Sequence, residues 1–284
     1  MLKNCYHLCT AALKDKLLCY DEADYTAIWN ALAVCVLMSE VKLFCLCIMS
    51  NHIHILLSGT PAEIARYFGV FKQKAGMYLK ERYNCNTARL LSYELFPVPD
   101  RKAFCQEVAY ILRNPYKAGM SSPFSYRWST YNIYFNPYPK SGKSKTEYPI
   151  KVLRKMLRTR YSLPDSIKIV DGILAPSCFV DVPFVERMFE DSSVMFFNLI
   201  KNWTIEDAVN ASHGQSVPDP YSDEEVFMGI KKICQELFLV SSPDRLDKRA
   251  LARLVRQVRT RFGCPKSQLM RLLPIDDYLL DRIL

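Results

Sequence analysis

The feature that most constrains this chain is a pair of histidines two residues apart in an apolar run, His52-Ile53-His54-Ile55-Leu56-Leu57. Side chains at i and i+2 of a β-strand point to the same face, so the two imidazoles can hold one metal ion together. The other reading of this stretch alone is a strand with two polar residues on its solvent face. Just upstream, Val41 to Met49 is a continuous apolar, cysteine-rich run that reads as a buried strand. The short polar break Ser50-Asn51 joins the two as a hairpin.

Ser58-Gly59-Thr60-Pro61 ends the second strand and opens a long helix over about 61–82, with Thr60 as N-cap, Pro61 at the first helical position and Glu63 at the third. Upstream, residues 4–13 read as a first strand. Asp21-Glu22-Ala23-Asp24 then starts a helix with Ile28, Leu32, Cys35 and Val36 at helical spacing. Downstream, 89–96 reads as a strand, and Asp100 caps a helix over 101–113 that stops at Asn114-Pro115. The order β-α-β-β-α-β-α is that of an α+β fold, a ferredoxin-like antiparallel sheet with packed helices.

Ser141-Gly142-Lys143-Ser144-Lys145 reads as a linker, which gives a first domain over 1–140. Residues 141–222 read as a connecting subdomain, helical in pattern, broken by prolines and acidic in its second half. The rest, 223–284, is mostly helical: helices over 223–238, 247–262, 266–272 and 277–284, with turns at Gly263-Cys264-Pro265 and Pro274-Ile275-Asp276. That is the outline of a helix-turn-helix-like DNA-binding domain, a small packing bundle being the plainer reading.

Composition narrows the class. Half of the 284 residues are hydrophobic and about a quarter charged, as in globular proteins with a real core. No apolar stretch is long enough to span a membrane, and the start Met1-Leu2-Lys3-Asn4 is too polar for a signal peptide, so a cytoplasmic location is expected. The eleven cysteines are odd in number and contain no C-x-x-C pair, which leaves buried thiols as the reading for most. Charge is unevenly placed: 12 basic residues against 5 acidic over 61–140, 2 against 10 over 181–225, and 12 against 6 over 226–284. Two basic blocks flanking an acidic one suit two nucleic-acid-facing surfaces.

A histidine pair beside basic surface asks for a further ligand and a nucleophile. In the helix over 101–113 and just past it, Tyr110 and Asn114 stand at i and i+4, on one helical face. If that face docks over the histidine strand, the Asn114 amide oxygen can complete a metal site with His52 and His54 while the Tyr110 hydroxyl lies beside the ion. Imidazole and carbonyl ligands with open positions suit Mg²⁺ or Mn²⁺ working on a phosphate. The tyrosine oxygen would attack the phosphate in line, conserving bond energy for later strand transfer.

Three segments, in order, carry a resemblance. Met49-Ser50-Asn51-His52-Ile53-His54-Ile55-Leu56-Leu57 resembles the HUH strand of single-tyrosine, IS200-like transposases. Tyr110-Ile111-Leu112-Arg113-Asn114-Pro115-Tyr116-Lys117-Ala118-Gly119 resembles the tyrosine signature of the REP-associated branch of that family, and Tyr126-Arg127-Trp128-Ser129-Thr130-Tyr131 the segment that follows it. Ser50 stands where the family has proline, and Thr130 where it has serine. The resemblance implies cleavage and strand transfer of single-stranded or hairpin DNA, formed by repetitive palindromic elements, through a 5′-phosphotyrosine on Tyr110. His52, His54 and Asn114 would be the metal ligands, in a monomer or homodimer without a membrane partner. The other function class is a domesticated repressor or structural binder that keeps the fold without turnover.

Several residues compete or assist. Tyr67, Tyr78 and Tyr83 on the long basic helix lack a suitable partner at i+4, which favours Tyr110. Cys45 and Cys47 could in principle make a zinc site with the histidines. His7 reads as a satisfied core histidine and His213 as a loop residue. Lys72, Lys74, Lys80, Arg82 and Lys117, with Arg256, Lys266 and Arg271 in the C-terminal region, are the candidates for contacts to DNA phosphates. Phe124, Tyr126 and Trp128 could stack on bases or form a packed edge.

Overall fold

The computed structural model describes the chain apart from residues 1–3, 14–15, 119, 121, 139, 141, 203–208, 210–212, 214–220, 222, 263, 265 and 284. The turn expected at Gly263-Cys264-Pro265 and most of the loop around His213 lie outside the described residues. The chain divides into two compact units. One comprises Met1–Asn114 and Pro123–Asn202; the other comprises Pro115–Ser122 and Trp203–Leu284.

The first unit is built on β1 (Cys5–Thr10), α1 (Glu22–Leu37), β2 (Lys42–Ile48), β3 (Ile53–Ser58), α2 (Pro61–Tyr83), β4 (Tyr93–Pro97) and the start of α3 (Arg101–Lys117). The four strands form an antiparallel sheet in the order β2-β3-β1-β4, the ferredoxin-like arrangement expected from the sequence. Local signals set the helix ends. Asp21 accepts from the Ala23 and Asp24 amides at the start of α1, and Thr60 and Glu63 close a capping box on α2. Asn84, left-handed at φ 53°, ends α2.

Register sorts the side chains between two faces. Cys9 pairs with His54, and His54 with Cys47. His7, Cys9, Cys47 and His54 therefore share one face, while Leu8, Thr10, Leu46, Ile53 and Ile55 share the other. The second face is covered by α2, whose Phe68 ring meets Tyr93 of β4 at 4.6 Å, with α1 packed beside α2. The histidine face is covered by α3, whose Phe104 meets Phe44 of β2 at 5.4 Å.

Helix α3 runs on past the expected stop, through Pro115 to Lys117. Proline removes the amide that would bond to the Ile111 carbonyl, a cost usually large enough to end a helix. One turn earlier, the Asn114 amide nitrogen donates to the Tyr110 carbonyl at 3.0 Å, so a side chain adds a bond where the ladder is weakened.

The boundary expected near residue 140 does not coincide with a division in the packing. Residues 143–202 contain a small sheet of β5 (Lys143–Ser144), β6 (Lys168–Val170) and β7 (Ile173–Leu174), and the helices α4 (Ile150–Leu157), α5 (Val182–Met188) and α6 (Ser193–Lys201). They build onto the first unit. The Trp29 indole donates to the Leu174 carbonyl and the Asp181 amide to that of Leu43, each at 2.9 Å, while buried Phe196 packs on Tyr134 and Phe189. The segment from Tyr126 to Tyr134 lies along the outer edge of β2: the Thr130 amide donates to the Leu46 carbonyl, and the Ile48 amide to that of Trp128, both at 2.9 Å.

In the second unit α7 (Asp223–Phe238), α8 (Lys248–Phe262), α9 (Lys266–Leu272) and α10 (Asp277–Ile283) follow the order of helices expected from the sequence. Val226, Ile230, Leu254, Val258, Leu269 and Leu280 lie in one buried cluster. At Gly229 of α7 the Phe262 ring comes so close that a Cβ would stand 2.1 Å from it. No helix among the described residues is long and apolar enough to cross a membrane.

Candidate active site

The face of β3 that carries His54 meets α3 within one chain. The Tyr110 ring stands edge-on to His54, with centroids 6.0 Å apart and planes at 87°, and lies 5.8 Å from His7. His52, just before the strand, has its ring 4.9 Å from that of His54. His54, Tyr110 and Asn114 are buried and His52 is partly so. The sequence pattern thus brings His52, His54 and Tyr110 together, with Asn114 one helical turn beyond Tyr110.

Each histidine of the pair is oriented through Nδ1. That of His52 meets the Asn51 side-chain oxygen at 2.7 Å, and that of His54 meets Nε2 of His7 at 3.0 Å. Ligating histidines commonly spend one ring nitrogen on such a partner and coordinate through the other, so Nε2 is the donor each would offer. Two imidazoles this close, with an amide-bearing residue on the helix above, fit a divalent first-row ion.

Two residues of this cluster carried no such role in the sequence reading. His7 sits on β1 beside β3, and its Nδ1 lies 2.9 Å from Oε2 of Glu107, one turn before Tyr110 on α3. Both are buried. Cys9 belongs to the same neighbourhood: His7, Cys9 and His54 hold their ligand atoms within 4.8 Å of one another. The signal was the strand period, which puts His7 and Cys9 on one face, and the i, i+3 spacing of Glu107 to Tyr110; neither says which strand will lie beside β3.

The competing tyrosines lie on the other side of the sheet. Buried Asp24 accepts from the Tyr78 and Tyr83 hydroxyls at 2.8 Å each and from Arg82 at 2.7 Å. Burial first, and the Asp24 bond next, push both phenols up to about 12. Desolvation raises buried Tyr67 well above the usual range. None is suited to act as a nucleophile. Cys45 and Cys47 are fully buried; Thr130 donates to the Cys45 sulfur, and burial pushes that thiol up to about 12 and Cys47 well above its ordinary value, which disfavours zinc-binding thiolates.

The candidate phosphate contacts are spread over both units. Lys72 donates to the Leu91 carbonyl, Lys74 to that of Arg158 at 3.4 Å, and Arg82 is held by Asp21 and Asp24, all on the α2 side; Lys80 is exposed there. Lys117 is half-buried at the end of α3. In the second unit Arg271 pairs with Asp223 at 3.0 Å, Arg256 donates to the Ile283 carbonyl at 3.4 Å, and Lys266 is half-buried. Trp128 is buried, stacked on Tyr25 at 5.1 Å with Arg127 over its face, and Tyr126 donates to the Ile48 carbonyl at 2.6 Å, so both form the packed edge; Phe124 stays exposed.

Residues 2–97, which carry β1 to β4 and both histidines of the pair, match the family described as transposase IS200 like; Tyr110 and Asn114 lie beyond that match. No curated protein matches the chain. One solved structure similar to it is a REP-associated tyrosine transposase bound to a REP hairpin, at 13% identity and a TM-score of 0.37, over 45% of this chain and 78% of that one. At that level the likeness adds nothing to the assignment, which rests on residues 2–97 and the sheet they form. By those residues, the chain belongs to the IS200-like transposases.

Proposed function

We propose that this protein cleaves and rejoins single-stranded or hairpin DNA through Tyr110. The observation that carries the reading is the docking of α3 over β3 within one chain, which sets the Tyr110 ring 6.0 Å from His54. His52 and His54, with the Asn114 amide, would hold a divalent ion such as Mn²⁺ or Mg²⁺. When bound, such an ion polarises the phosphate and favours in-line attack.

The Tyr110 oxygen gives up its proton and bonds to phosphorus, the bond to the 3′-oxygen breaks, and that oxygen leaves as a 3′-hydroxyl. The product is a 5′-phosphotyrosine that a 3′-hydroxyl can attack in return, which makes the chemistry strand transfer. The walls of the site, Phe96, His7 and the packed α3 face, shield this ester from water. Basic residues of the second unit, Arg256, Lys266 and Arg271, are the proposed grip on a hairpin stem.

The test is a covalent adduct. Full-length protein incubated with end-labelled hairpin DNA and Mn²⁺ is expected to give a species that survives denaturing electrophoresis and is absent without metal. An adduct that persists in Tyr110→Phe overturns the role of Tyr110. Hairpin binding with no adduct across a set of palindromes supports instead a binder that keeps the fold without turnover.

A further inference from the structure

From the contacts of His7 and Glu107 we infer that these two residues form a built-in tautomer lock on His54, and so are positioning residues for the metal site. The inference rests on the reading of His54 as a ligand. Its grounds are three buried groups in line: Glu107 Oε2 to His7 Nδ1 at 2.9 Å, then His7 Nε2 to His54 Nδ1 at 3.0 Å. All three side chains are almost wholly removed from solvent.

The sense of the chain follows from what each atom can do. A carboxylate only accepts, so the His7 proton sits on Nδ1 and points at Glu107. In neutral His7 the other nitrogen, Nε2, is then a bare acceptor. It can be satisfied only if His54 carries its own proton on Nδ1. His54 Nε2 is thereby left with its lone pair, the form in which an imidazole coordinates a metal.

The lock also joins the two halves of the site. Glu107 lies one turn before Tyr110 on α3, while His7 and His54 lie on neighbouring strands. The same two bonds that fix the His54 proton therefore fix the height of the tyrosine helix over the sheet. Tyr110 stands edge-on to both imidazoles, at 66° to His7 and 87° to His54, so the ring is braced by the residues it serves. His52 has its own, separate device in the side-chain oxygen of Asn51.

The chain contains only four histidines, so a long-range proton–nitrogen correlation spectrum of the full chain with ¹⁵N-labelled histidine separates them. The expected result in metal-free protein is a proton on Nδ1 of both His7 and His54. In Glu107→Ala, His54 should become a tautomer mixture and Mn²⁺ affinity should fall by about 10- to 100-fold, the usual cost of losing such a partner. Glu107→Gln, whose amide oxygen still accepts, should recover most of both. A proton on Nε2 of His54 in the unmodified chain overturns the lock, as does an unchanged tautomer in a folded Glu107→Ala. If that variant does not fold, the unmodified spectrum decides alone. The metal reading is judged separately: Mn²⁺ should broaden the His52 and His54 signals. Failure to broaden them, with the Nδ1 tautomers intact, sinks the metal reading and leaves the bond chain; broadening with the wrong tautomer does the reverse.

Discussion

Two tyrosine-bearing helices pack on the same sheet, one on each face, and only one of them meets chemistry. Helix α2 brings Tyr67, Tyr78 and Tyr83 to a face of Leu8, Ile53 and Ile55; its polar groups turn away to Asp24, where acid, phenols and guanidinium satisfy each other. Helix α3 brings Tyr110 to the face that carries His7 and His54. Alternation along β1 and β3 makes the difference, since a shift of one residue would exchange the faces. A tyrosine becomes a candidate nucleophile here through what the opposing strands present.

Changing the tyrosines sharpens that contrast most. Tyr110→Phe should reduce adduct formation to background, whereas Tyr78→Phe and Tyr83→Phe should leave it within about twofold, since they lie outside the site. An adduct lost in either α2 variant while its fold is intact would break the comparison. Next, His54→Ala should lower Mn²⁺ affinity by about 100-fold or more in a calorimetric titration, because one of few first-contact ligands is gone.

On the other face the expected losses are of stability. Asp24→Ala leaves Arg82 and two phenols without their shared acceptor and should lower unfolding free energy by about 3 kcal/mol, toward the low end for breaking a buried charge network. Urea denaturation measures it, and the adduct formed by the still-folded protein should be unchanged. Asp21, exposed beside Arg82, is held below its ordinary value of 3.8 by the Arg82 hydrogen bond first and the Asp24 amide next. A depressed carboxyl stabilises above its unfolded value and loses that contribution as pH falls through its folded value. Melting temperatures of Asp21→Asn and the unmodified protein should thus differ near neutrality and converge below about pH 4, in keeping with that linkage. The smallest effect belongs to Tyr67→Phe: its buried hydroxyl has no hydrogen-bond partner among the described residues, so removal should shift stability by less than about 1 kcal/mol or raise it.

Much of the first unit was legible in the sequence because its signals are local and redundant. Thr60, Pro61 and Glu63 announce one helix start, and the spacing of His52 to His54 fixes which side chains share a face. The stop expected at Asn114-Pro115 failed because Asn114 returns a bond to the helix from its side chain, a compensation that no propensity encodes. The strands β5 to β7 span two or three residues each, too short to show a period, so 143–202 read as a separate helical stretch when its apolar residues in fact complete the first unit. His7 was read as a satisfied core histidine and is indeed buried and bonded; what the sequence withheld was the identity of its partners, Glu107 and His54, which lie 100 and 47 positions away.

The segment laid along β2 has a consequence for how copies of this chain behave at high concentration. With Trp128 to Thr130 occupying that edge, the sheet offers a newcomer strand only the outer side of β4, where no described strand pairs. β4 is five residues long, shows the charged Glu94 to solvent and ends in Pro97, which has no amide to donate. Edge-to-edge aggregation would have to begin on a short, charged, proline-ended strand, among the poorest templates a sheet can present.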